Sequence, residues 1–209
     1  AVGTIDISTG EPHVSPPVLG TTTRVSLGVG GAEISDGDAQ DPAISADGTV
    51  VAFASHASDV VVGDANHTDD VFVHDRATGV TSRVSVASDG TEADLWSLDP
   101  ALSADGRFVA FWSGASNLVA GDTNGSFDVF VHDRSTGVTS RASVASGGAQ
   151  ADGYSARPAI SADGRFVAFT SYREDAIELR LLVLATGETR PLTSGRDVNL
   201  GPRFSPDGR

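Results

Sequence analysis

One stretch of this sequence is written four times. Residues 42–53 read PAISADGTVVAF, residues 100–111 PALSADGRFVAF and residues 158–169 PAISADGRFVAF, and a further copy starts at Pro202 as PRFSPDGR. The turn aspartates Asp47, Asp105, Asp163 and Asp207 are spaced by 58, 58 and 44 residues. A unit repeated in this way buries its apolar faces by stacking on its neighbours, so the period decides the architecture. A second block follows the first two copies, as DANHTDDVFVHDRATGVTSR at 64–83 and DTNGSFDVFVHDRSTGVTSR at 122–141. The third unit keeps only the later half, LLVLATGETRPLT at 181–193. From Asp105 to Gly137 is 32 residues and from Asp163 to Gly187 is 24, so eight residues are missing where the D-x-N segment stands. Residues 5–10 (IDISTG) align with 132–137 (HDRSTG). The expected division is therefore 1–41 as the end of a preceding unit with its linker, units at 42–99, 100–157 and 158–201, and the start of another at 202–209.

Each unit holds four short runs rich in β-branched and aromatic residues, too short and too evenly apolar for helix. In the second unit they cover 101–103, 108–113, 128–133 and 139–143. The first pair is joined by Ala104-Asp105-Gly106 and the second by Arg134-Ser135-Thr136-Gly137. A terminal glycine there supplies the positive φ that a tight hairpin turn needs. Four antiparallel strands per repeat, with the first strand innermost, is the pattern of a β-propeller blade. The expected class is all-β: a β-propeller of four-stranded antiparallel blades, either partial or small, with about four blades. Exposed blade edges would favour self-association.

The unit P-x-x-S-A/P-D-G-R-x-V-A-F … V-F-V-H-D-R-x-T-G-x-T-x-R resembles the WD40-like PD40 repeat of bacterial TolB-type propellers. Pro100, Ser103, Asp105, Gly106, Phe111, Asp133, Thr136 and Gly137 carry the resemblance, with their copies in the other units. The third unit is similar to the standard form, and the first two to a longer variant with the D-x-N loop. The resemblance implies a fold far more than a task, since propellers host many functions.

Composition narrows the task. With 14 Lys+Arg against 28 Asp+Glu the net charge is −14, which opposes binding to a phosphate backbone and suits cationic partners or divalent cations. No stretch approaches a membrane span. Cysteine is absent, so disulfides and thiolate chemistry are excluded. No signal-peptide segment stands at the start of this chain. A bacterial periplasmic or extracellular location is the expectation.

The segment that exceeds the needs of a blade is the D-x-N loop. Asp64, Asn66 and Asp70 stand at positions 1, 3 and 7, and Asp122, Asn124 and Asp128 repeat the spacing. Such a loop offers the oxygens a hard cation such as calcium requires. Asp and Asn at these positions equally close turns through their own backbone, and both readings stand. The S-A-D-G aspartates read as turn residues. His74-Asp75 and His132-Asp133 recur in register, which suits a blade-stabilising bond rather than a catalytic pair. Tyr154-Ser155-Ala156-Arg157 lacks the final glycine of a nucleophile elbow. Arg24, Arg83 and Arg141 read as outer-strand edge residues. These observations favour a non-catalytic binding or scaffold propeller with a protein or glycan ligand, calcium as its candidate ion, no nucleic acid and no membrane insertion. The alternatives are the propeller portion of a larger enzyme, such as a prolyl-oligopeptidase-like serine peptidase, and a TolB-like periplasmic translocation component.

Overall fold

A computed structural model describes residues 22–145, 147–173, 176–193 and 201–205. The alignment of residues 5–10 and the aspartate Asp207 lie outside the described residues. Among the described residues, twelve strands form three separate antiparallel sheets of four, each in simple sequence order. The first sheet contains β1 (Ala39–Ile44), β2 (Val50–Ser55), β3 (Asp70–Asp75) and β4 (Val80–Arg83). The second contains β5 (Ser97–Leu102), β6 (Phe108–Ser113), β7 (Asp128–Asp133) and β8 (Val138–Arg141). The third contains β9 (Ser155–Ile160), β10 (Phe166–Arg173), β11 (Ala176–Val183) and β12 (Glu188–Pro191). Among the described residues the helical content is one 3-10 turn, Val29–Gly31.

The period-2 rule of a strand explains why the repeats read as continuous apolar runs. Successive side chains point to opposite faces, and both faces of the second sheet are covered. Val109, Phe111 and Phe130 pack with Val50, Ala52, Val71 and Val73 of the first sheet. Ala110, Val129 and Val131 pack with Ile160, Val167, Phe169 and Leu182 of the third. The same position in each unit thus fills the same seam. Phe72, Phe111, Phe130 and Phe169 are fully buried, and each contributes about 1.5–3 kcal/mol of transfer free energy.

Hydrogen bonds pin neighbouring sheets at both ends of their first strands. At one end the Ala46 amide donates to the Ala104 carbonyl and the Ala104 amide to the Ala162 carbonyl, each at 2.9 Å. At the other, the amides of Ser97 and Ser155 donate to the carbonyls of Asp69 and Phe127 at 2.7 and 2.8 Å. Within the S-A-D-G turns Asp105 accepts from the Ser103 hydroxyl and the Arg107 amide, and Asp47 and Asp163 accept equivalent bonds. These bonds, led by the serine hydroxyl, hold the Asp47 carboxyl down at about 2. The turn glycine has a second duty. A Cβ on Gly106 would lie 2.7 Å from Val50, and one on Gly164 would lie 2.6 Å from Phe108, each across a seam.

Loss of the D-x-N segment shows directly in the third sheet. There β10 and β11 extend to eight residues each and pair from Phe166↔Val183 to Arg173↔Ala176. In the other sheets the corresponding pairing stops at Ser55↔Asp70 and Ser113↔Asp128, and the loop begins.

Candidate functional site

The structure gathers the six loop residues singled out from sequence into two equivalent arrangements. In the first, the Asn66 amide nitrogen donates to Asp70 at 3.1 Å and to the Ala93 carbonyl at 2.8 Å, while its oxygen accepts from the Thr68 amide. Asn124 repeats all three bonds with Asp128, Ala151 and Ser126. Asp70 accepts from the Ser85 hydroxyl and Asp128 from the Ser143 hydroxyl, both at 2.5 Å. The asparagine amides are thus used inside the loop.

Arg83 and Arg141 are not exposed edge residues. Their side chains are 9% and 10% exposed and turn in under the loops. Arg83 meets Asp70 at 2.8 Å and Asp64 at 3.7 Å, donates to the Gly63 carbonyl, and is in direct contact with Glu92. Arg141 meets Asp122 at 3.3 Å and Asp128 at 3.5 Å. The edge strand tucks its last residue inward because the carboxylates need a buried counter-charge. Carboxylate oxygens of Asp64, Asp70 and Glu92 lie within 4.8 Å of one another, an acidic cluster of the kind that can hold a metal ion. Burial raises the Asp64, Asp70 and Asp122 carboxyls above the usual aspartate range, against the pull of the arginines.

The His-Asp pairs do not form dyads. Nδ1 of His74 and of His132 lies 2.9 Å from the hydroxyls of Thr81 and Thr139. Thr139 in turn donates to the carbonyl of Val86, in the segment that follows β4, at 2.5 Å. Asp75 and Asp133 cap the following turns through backbone amides. Burial lowers the His132 pKa, as expected of an uncharged seam residue.

A different site lies where the first strands converge. Each carries a bulge at the residue before its proline, between Gln40 and Ala43, Leu98 and Ala101, and at the matching place in β9. Asp41, Asp99 and Arg157 there have φ of 52°, 50° and 54°, and Gly201 of the further copy has 74°. Left-handed backbone at a non-glycine residue is strained, and such strain concentrates at functional positions. All four residues, with Arg203, line one cavity of about 390 Å³. Partial desolvation, then the neighbouring Asp99 carboxylate, raises the Asp41 carboxyl.

Around Asp99 the units cease to match. Trp112 stands where the other units have Ala54 and Thr170, and Phe127 where the first has Asp69. Trp96 and Tyr154 stand where the first has Asp38, and Tyr172 where the others have His56 and Gly114. These five aromatics form one cluster, with centroid separations of 4.9 Å for Trp112–Phe127, 5.5 Å for Phe127–Tyr154, 4.8 Å for Tyr154–Tyr172 and 6.5 Å for Trp96–Phe127. Trp112 Nε1 donates to Asp99 at 2.8 Å, joining cluster and cavity. Trp96 and Leu95 are 50% and 48% exposed. Sequence reasoning centred on what repeats and so passed over this patch, whose signal is the set of positions that break register.

No family model matches the chain. The Tol-Pal system protein TolB of Francisella tularensis subsp. mediasiatica (strain FSC147) is 37% identical over 60 residues, which are 29% of this chain and 14% of that protein. TolB from Acinetobacter baumannii superposes with a TM-score of 0.53 at 22% identity, over 98% of this chain and 40% of that one. The β-propeller domain of the Trilobed protease from Pyrococcus furiosus gives 0.53 at 12% identity, over 77% and 44%. The chain therefore spans less than half the length of each of these proteins. The three sheets are β-propeller blades. Over 60 residues their repeat is similar to that of TolB, and the fold is shared with TolB propellers.

Proposed function

We propose that this chain is a non-catalytic binding module from a bacterial periplasmic or exported propeller with more blades than the three described. Its ligand is a protein segment that meets the axial cavity and the aromatic cluster beside it. The observation that carries this reading is the clustering of the repeat-breaking residues Trp96, Trp112, Phe127, Tyr154 and Tyr172, joined through Trp112 to Asp99 of the cavity wall. A scaffold needs no such departure, whereas aromatic side chains dominate protein recognition surfaces. The shared polar groups support a non-catalytic role, because the histidines and turn aspartates are spent on seams and caps. The similarity to TolB, a protein of the Tol-Pal system, supports both the location and a protein ligand.

Selection from a displayed random-peptide library tests this. Peptides enriched by the chain should lose binding at least about tenfold when Trp96 or Tyr154 is replaced by alanine or Asp99 by asparagine, the size expected for a hot-spot residue. Enrichment unaffected by all three substitutions would remove the site. A glycan array run in parallel covers the glycan ligand.

Calcium belongs to this proposal as a structural ion of the D-x-N loops, at Asp64, Asn66 and Asp70 and at Asp122, Asn124 and Asp128. Hard oxygen donors support it, as does the acidic cluster of the first loop. Calcium at a hundred times its dissociation constant should stabilise the fold by about 2.7 kcal/mol relative to chelator. An unchanged melting temperature would count against calcium.

A further inference from the structure

We infer that the two D-x-N loops have divided roles: the first binds a divalent cation with Glu92 as a third carboxylate ligand, and the second is closed by Arg141 and Gln150 without an ion. The inference rests on the calcium reading above and narrows it to the first loop.

The division turns on one register position. Glu92 of the first unit corresponds to Gln150 of the second. Gln150 donates from Nε2 to Asp122 at 2.8 Å and accepts through Oε1 from the Thr123 amide and hydroxyl. An ionised glutamate cannot make that donation, since its carboxylate only accepts. Glu92 accepts from the Ala65 amide and from Arg83. Asp64 therefore receives no hydrogen bond at either oxygen, although its side chain is only 1% exposed and its ion pair with Arg83 spans 3.7 Å. The second loop shows the opposite deficit, because there the atoms without hydrogen-bond partners are donors, Nε and Nη1 of Arg141.

Charge points the same way. Three carboxylates face one guanidinium in the first loop, leaving two negative charges uncompensated. In the second, two carboxylates face one, leaving a single charge. A buried surplus of two negative charges with unpartnered oxygens matches a hard divalent ion. A surplus of N–H donors repels one.

Calorimetric titration of the 209-residue chain with calcium chloride, after chelator treatment, tests the division. The expected stoichiometry is one. Glu92→Gln, which copies the residue of the second loop, should weaken binding at least tenfold while circular dichroism stays unchanged. Asp122→Asn should leave one site intact. Gln150→Glu should create a second site. Two sites in the unmodified chain, or undiminished binding by Glu92→Gln, would overturn the division while leaving calcium binding standing. No binding by titration or by equilibrium dialysis with radioactive calcium would overturn both.

Discussion

Replacing Gly164 by alanine probes how tightly one blade sits on the next. Its φ is +68°, and an added Cβ would lie 2.6 and 3.0 Å from Cδ2 and Cε2 of Phe108 in the second blade. Gly187 in the same blade has φ +69° and nothing within 4 Å of its added Cβ. The two positions share the backbone cost and differ only in the collision. Left-handed alanine costs about 1 kcal/mol, so Gly187→Ala should lower the melting temperature by roughly 2–4 °C in a chain of this size. Overpacking adds about 1–3 kcal/mol, because Arg107 lies over one face of the Phe108 ring and the ring itself packs into the seam core. Gly164→Ala should then cost about 3 kcal/mol in total, roughly 6–12 °C. Thermal and urea unfolding followed by circular dichroism measures both. Phe108→Ala removes the obstructing ring, so the double variant should be less destabilised than the sum of the single ones by about 1–2 kcal/mol. Equal melting of Gly164→Ala and Gly187→Ala would refute a close seam at this turn.

Asp128→Ala should destabilise by about 3 kcal/mol in urea unfolding, because it removes one of the two carboxylates that face the buried Arg141 and takes an acceptor from the Ser143 hydroxyl and the Asn124 amide. Thr139→Val cuts the link from His132 to the Val86 carbonyl, and should cost about 1–2 kcal/mol by the same measurement. The dependence on pH has two limbs of opposite sign. Asp64, Asp70 and Asp122 bind protons more tightly in the fold than in the unfolded chain, so stability falls as pH rises from the usual aspartate range through their raised values. The turn aspartates Asp47, Asp105 and Asp163 are lowered, and their contribution is lost as pH falls below the usual range, towards about 2 for Asp47. Melting in calcium-free buffer should therefore peak in mild acid, and Asp64→Asn should flatten the limb on the neutral side.

The strand pattern of the units was legible because each register position serves the same seam every time. Runs 108–113 and 128–133 coincide with β6 and β7. The first run was begun four residues too late, since the left-handed bulge at Asp99-Pro100 interrupts the alternation that marks a strand. The turn role of Asp105 could be read from its Asp-Gly neighbourhood. The inward turn of Arg83 and Arg141 could not, because a residue at a strand end gives no sign of which side covers it. Glu92 stands 22 residues beyond Asp70 in sequence, on a stretch with no motif, and only the fold brings its carboxylate beside Asp64. The aromatic cluster was hidden for the reverse reason: each member is an ordinary apolar residue, and only superposing the units exposes them as departures.

The bonds between turns run in one direction, from the Ala46 amide to Ala104 and from the Ala104 amide to Ala162. The middle unit thus offers its neighbour on one side a donor and its neighbour on the other an acceptor, as a link in a chain offers a hook and an eye. Insertion or deletion of a whole unit conserves both, whereas a partial change strands one of them. Gene duplication can therefore alter the number of blades in a single step, while the same joint holds segments of 58 and 44 residues alike. Copy number becomes a variable that the joint leaves open, and new binding faces can arise in the spaces between copies without redesign of any one of them.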